Sequence, residues 1–168
     1  MQKFHVLLVD DSEAMLNALT RVFKFFEEYV THTAIDAHSA LEILGSERID
    51  LIITDQNMPK ISGTELLNTV RTLYPEVMRI MLTGNTDIET AKQAINSGQI
   101  MRFFTKPFDE FELLIAVRYA YEQRKLLNEN TNLRKVIENQ KTLLDKLEDI
   151  HPGITKINLS DDGAYVIE

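Results

Sequence analysis

The run Leu51-Ile52-Ile53-Thr54, followed at once by Asp55, constrains this chain more than any other feature. Apolar, partly β-branched residues in unbroken succession read as a strand buried on both faces. The break at Asp55 and the loop through Pro59 place the acid at that strand's C-terminal end. A turn or helix-cap aspartate is the bland alternative for such a position. The same pattern recurs. Val6-Leu7-Leu8-Val9 stops at Asp10-Asp11, Ile80-Met81-Leu82 at Thr83-Gly84, and Met101-Arg102-Phe103-Phe104 at Thr105-Lys106-Pro107, while Tyr29 to Ile35 adds one more short strand.

Helical patterns stand between the strands. Ser12 caps one with Met15, Leu19, Val22, Phe23 and Phe26 at helical spacing, and Ser39 to Leu44 makes a second, closed by Gly45. Beyond a turn at Gly63, Leu66, Leu67, Val70 and Leu73 form the inner face of a third, which stops near Pro75. Thr86 or Asp87 caps a fourth, with Ile88, Ala91 and Ile95 on one side and its end at Gly98. Strand and helix alternating five times demand parallel pairing with right-handed crossovers and helices on both faces, an α/β doubly wound sheet.

In an open parallel sheet, ligands bind in the crevice outside the carboxyl ends of the strands. If these strands are neighbours, three carboxylates (Asp10, Asp11, Asp55), the Thr83 hydroxyl and the Lys106 ammonium converge there. Two adjacent acids plus a third suit a hard divalent cation such as Mg²⁺, which prefers oxygen ligands and keeps several waters. A lone lysine neutralises a phosphoryl oxygen as a point charge. The helix that starts at Ser12 also directs its positive dipole end toward the crevice.

With Asp10-Asp11, Asp55 and Met58-Pro59, Thr83-Gly84 and Lys106-Pro107 in this order, residues 3 to 122 resemble the receiver domain of two-component response regulators. The resemblance implies a flavodoxin-like five-stranded sheet of order 2-1-3-4-5. It implies that Asp55 is the phosphoacceptor for a sensor histidine kinase or phosphotransfer protein, and that Asp10, Asp11, Asp55 and the Asn57 carbonyl hold Mg²⁺. Lys106 would then neutralise the phosphoryl group, after a Lys106-Pro107 bond that is typically cis in the family. Thr83 and Phe103 would be the switch pair, with Phe standing where Tyr is common. Asn57, Gly84 and Asn85 would flank the phosphoryl group, with Asn57 and Asn85 tuning autodephosphorylation.

The last third extends past a bare receiver of residues 1–122. Asp109 caps a helix packed through Leu113, Leu114, Val117 and Tyr121, and neither Pro nor Gly interrupts the chain before Pro152. From Leu126 a seven-residue repeat sets Leu126, Leu133, Gln140 and Leu147 at d, and Asn130, Ile137 and Leu144 at a. Residues 123–150 therefore read as a coiled-coil dimerisation helix continuous with the last receiver helix. Asn130 favours a parallel two-stranded register, and Glu129 and Arg134 are placed to pair across the dimer. A single amphipathic helix folding back on its own receiver is the alternative. In the tail, 151–168, Asp162-Gly163 between two apolar-alternating runs is a hairpin signal.

Composition narrows the classes. A formal net charge of -8 argues against general nucleic-acid binding, and the lack of cysteine removes disulfides and thiolate metal sites. The same lack of cysteine fits a cytoplasmic protein; no apolar run approaches the roughly 20 residues of a membrane span and no signal peptide is visible. His5, His32 and His38 show no ligand spacing and read as surface or packing residues. The preferred function is a phosphorylation-controlled regulator, not an enzyme, signalling through a homodimeric helix. The alternatives are a constitutive dimerising adaptor, or the N-terminal part of a longer regulator. A standalone phosphatase is disfavoured, because Asn57 occupies the place where a second acid is wanted.

Overall fold

The computed structural model describes residues 3–153. Among the described residues five strands, β1 (Phe4–Val9), β2 (Tyr29–Ala34), β3 (Leu51–Asp55), β4 (Met78–Thr83) and β5 (Arg102–Thr105), alternate with helices α1 (Glu13–Phe23), α2 (Ala37–Ser46), α3 (Gly63–Leu73), α4 (Ile88–Asn96) and α5 (Glu110–Ile150). A 3-10 turn over Asn85–Asp87 precedes α4. The sheet is parallel throughout in the order β2-β1-β3-β4-β5 expected from the sequence. Every residue of β3 is buried, as its unbroken apolar run requires of a strand covered on both faces.

Two cores lie on the two faces. On one, Leu16, Leu19 and Phe23 of α1 and Leu113, Ala116 and Val117 of α5 pack on Val6, Leu8, Leu51 and Ile53. On the other, Ala37 and Ala40 of α2, Leu66 and Val70 of α3 and Ala91 and Ala94 of α4 cover Leu7, Val9, Ile52 and Met81. Adjacent residues of one strand thus serve opposite cores.

Several local expectations are corrected. Gly45 lies inside α2, which runs to Ser46, and the helix starts earlier than Ser39, because Asp36 and Ser39 form a reciprocal capping box with Asp36 as N-cap. Phe26 lies beyond the end of α1 yet still packs on its core. Leu73 is 61% exposed; the chain turns at Tyr74, and that side chain packs inward instead. On α4 the buried pair is Ala91 and Ala94, with Ile95 left outward. Asp87 occupies the α4 N-cap position without making a cap bond. The hairpin expected in the tail falls within residues 154–168, outside the described residues.

The chain divides into two compact units, Met1–Arg124 and Lys125–Glu168, with the division falling within α5. In the second, Leu126, Leu133, Ile137, Leu144 and Leu147 are all exposed on this chain, as is Asn130.

Candidate functional site

Strand ends build the site. β1 and β3 are paired in register up to Val9 and Thr54, so the residues that follow, Asp10 and Asp55, emerge side by side at the carboxyl edge. Asp10 is fixed by its own loop: its N–H donates to the Ala34 carbonyl at 3.2 Å, and its Oδ1 accepts from the Ser12 N–H at 2.9 Å. Asp55 is fixed likewise, with Oδ2 accepting from the Asn57 N–H at 3.0 Å. Each carboxylate keeps its other oxygen free of these turns, and both oxygens point at one cation. The Lys106 ammonium lies 2.8 Å from Asp10 Oδ2 and 2.8 Å from Asp55 Oδ1.

Lys106 is itself anchored, since its backbone N–H donates to the Thr83 carbonyl at 2.7 Å, tying the end of β5 to that of β4. The Lys106-Pro107 peptide is cis. Burial pushes the lysine's pKa down, but hydrogen bonds and charge from Asp10 and Asp55 outweigh it and hold the ammonium above the ordinary lysine value. The lysine is therefore a fixed positive charge at neutral pH. Thr83 is fully buried, and its hydroxyl donates to the Gly84 carbonyl at 3.2 Å.

The remaining candidates differ in their exposure. Asp11 and Asn85 are exposed, Gly84 is half-buried, and Phe103 is half-buried against the core beneath α2, α3 and α4. Asn57 is exposed, and its side-chain amide donates to Asp87 Oδ2 at 2.8 Å. The loop that follows Asp55 is held by Gln56, which no sequence signal pointed to. Its side-chain oxygen accepts from the Thr64 N–H at 3.0 Å and from the Thr64 hydroxyl at 2.8 Å. Gly63 is needed here, because a Cβ would press on the Asp55 carbonyl and lie 2.9 Å from Gln56 Cα.

The response regulator receiver domain model matches residues 6–118. The chain belongs to the response regulator receiver family. Among similar proteins, the hydrogenase transcriptional regulatory protein HoxA of Cupriavidus necator is 35% identical over 121 residues, which make up 72% of this chain and 25% of HoxA. The nitrogen assimilation regulatory protein NtrX of Azorhizobium caulinodans is 32% identical over 136 residues, 80% of this chain and 30% of that protein. This receiver chain thus spans about a quarter to a third of the length of such relatives. A solved signal receiver domain of an HD domain-containing protein from Pseudomonas fluorescens superposes with a TM-score of 0.69 at 38% identity, covering 74% of this chain and 98% of that one.

Receivers typically use Mg²⁺, and the residues present fit it. Among the described residues no cluster of three or more His, Cys, Asp or Glu forms a metal cage. Two oxygen-donor carboxylates drawn to one positive point are nevertheless what Mg²⁺ needs, since it binds through one or two carboxylates and fills its sphere with water and phosphate oxygens. Among the described residues no helix is long and apolar enough to cross a membrane.

Proposed function

We propose that Asp55 accepts a phosphoryl group from the phosphohistidine of a sensor histidine kinase or a phosphotransfer protein, and that the chain signals as a homodimer through residues 123–150. The observation that carries this reading is the convergence of Asp10 and Asp55 on one lysine ammonium at the carboxyl edge of the sheet. In the transfer, an Asp55 carboxylate oxygen bonds to phosphorus while the phosphorus–nitrogen bond breaks, its electron pair staying on the donor imidazole. Phosphoryl transfer asks chiefly for positioning and charge neutralisation. The Asn57 N–H orients the acceptor carboxylate, and Lys106, released toward a phosphoryl oxygen, offsets the incoming charge. Asp10, Asp11, Asp55 and the Asn57 carbonyl are the residues to hold Mg²⁺, which when bound neutralises the charge developing on the phosphoryl oxygens.

The phosphoryl group stays on the protein, so the chain is a phosphoacceptor rather than a turnover enzyme. Occupancy draws the Thr83 hydroxyl from the Gly84 carbonyl to a phosphoryl oxygen, and Phe103 moves into the space vacated. Asn57, Gly84 and Asn85 border the group, and Asn57 and Asn85 tune its lifetime. The dimer reading is supported by a sustained heptad pattern whose apolar side chains are exposed on the single chain, Leu133 and Ile137 by 63% and 64%. A net charge of -8 fits protein partners better than nucleic acid.

The test is incubation with Mg²⁺ and acetyl phosphate, read by intact mass. One phosphoryl adduct is expected on the native chain, lost without Mg²⁺ and lost in Asp55→Asn. An equal adduct on Asp55→Asn overturns the assignment, and no adduct on either chain favours a constitutive adaptor.

A further inference from the structure

An aspartate at a helix N-cap ordinarily accepts from the helix's first N–H groups, and Asp87 does not. Its Oδ2 accepts instead from the Asn57 amide at 2.8 Å and from the Thr86 hydroxyl at 3.0 Å. Two loops are thereby joined across the site, one leaving Asp55 and the other leaving Thr83. Gly84 lies beside this bond, where a Cβ would stand 4.0 Å from both Asn57 Nδ2 and Asp87 Oδ2, and its carbonyl accepts from the Asp87 N–H at 3.2 Å. The Thr83 hydroxyl donates to that same glycine's carbonyl, so the Thr83 orientation and the Asp87 bond constrain one short stretch of backbone.

We propose that Asp87 is a positioning residue for phosphoryl transfer. Its bond to the Asn57 amide holds the loop between β4 and α4, and through Gly84 the Thr83 hydroxyl, in the resting arrangement. The inference rests on Asp55 being the phosphoacceptor. A bond made only in the resting state lowers the affinity of the site for a phosphoryl group or its mimic by the bond's own net contribution. Breaking it shifts the equilibrium toward the occupied state.

The test is titration of the full chain with beryllofluoride in the presence of Mg²⁺, followed by amide signals that also report folding. Asp87→Ala is expected to bind about threefold to tenfold more tightly, the range a net hydrogen-bond contribution gives. Thr86→Val should move the same way by less. In the Asn57→Ala background, Asp87→Ala should add nothing, because the bond is already gone. Asp87→Asn, which keeps an acceptor oxygen, should return most of the native affinity. Unchanged binding in Asp87→Ala, additive gains in the double variant, or an Asp87→Asn chain matching Asp87→Ala would each overturn the proposal; the last would show that charge repulsion alone acts. If the native chain binds no beryllofluoride, the phosphoacceptor reading falls and this inference falls with it.

Discussion

Lys106 spans two carboxylates that would otherwise repel each other, with its side chain only 26% exposed. Lys106→Met should cost about 2 kcal/mol in urea unfolding, below the range for fully buried pairs because water still reaches the ammonium. Added Mg²⁺ should recover part of that loss, and phosphorylation by acetyl phosphate should fall sharply. A stability equal to the native chain's would contradict the pairing. Asp50 is fully buried at the opposite end of β3, where Oδ1 accepts from Arg48 at 2.9 Å and Arg124 at 3.2 Å and Oδ2 from the His5 N–H at 3.0 Å. Asp50→Ala should cost on the order of 3 kcal/mol, measured the same way, because it removes the one buried carboxylate shared by the half-buried Arg124 guanidinium and the His5 N–H. Asp55 and Lys106 were legible because each closes an apolar run, a signal carried by its immediate neighbours. Asp50, Gln56 and Asp87 were not, because their partners are set by the fold; Arg124 is 74 residues from Asp50, and Asn57 is 30 from Asp87.

Among the elements, β1 and β2 carry a paired set of rings. His5 Nδ1 and His32 Nε2 are 3.1 Å apart, with the rings stacked at 5.3 Å. Burial, and then the charge of His5, push His32 below its ordinary value of 6.5, with Glu47 opposing. The unfolded chain therefore binds the proton more readily, so stability present above about pH 6.5 should be lost as pH falls toward the folded value. Thermal unfolding of His32→Gln should show a flatter pH profile than the native chain between neutral and mildly acidic pH, and identical profiles would contradict the pairing. Each element was legible from periodicity, while its ends were not. The α2 boundary depends on which of Asp36 and Ser39 turns out to be the N-cap, and the inward residue after α3 depends on the turn at Tyr74.

For the whole molecule, the proposed pairing through residues 123–150 is open to a direct test. In the full chain, Leu133→Asp combined with Ile137→Asp should convert a dimer into a monomer by sedimentation while leaving phosphorylation intact. Asn130→Ile should raise the melting temperature of the assembly and loosen its oligomer number, as removal of a buried polar a-position residue does. Equal masses for native and doubly substituted chains would remove the coil from the mechanism. The central claim remains chemical, that Asp55 is the side chain that takes the phosphoryl group. It is tested most directly by treating the chain with Mg²⁺ and acetyl phosphate, trapping the acyl phosphate with borohydride and mapping the reduced residue by peptide mass. The account predicts homoserine at position 55 and nowhere else; reduction at Asp10 or Asp11, or at no residue, would contradict it.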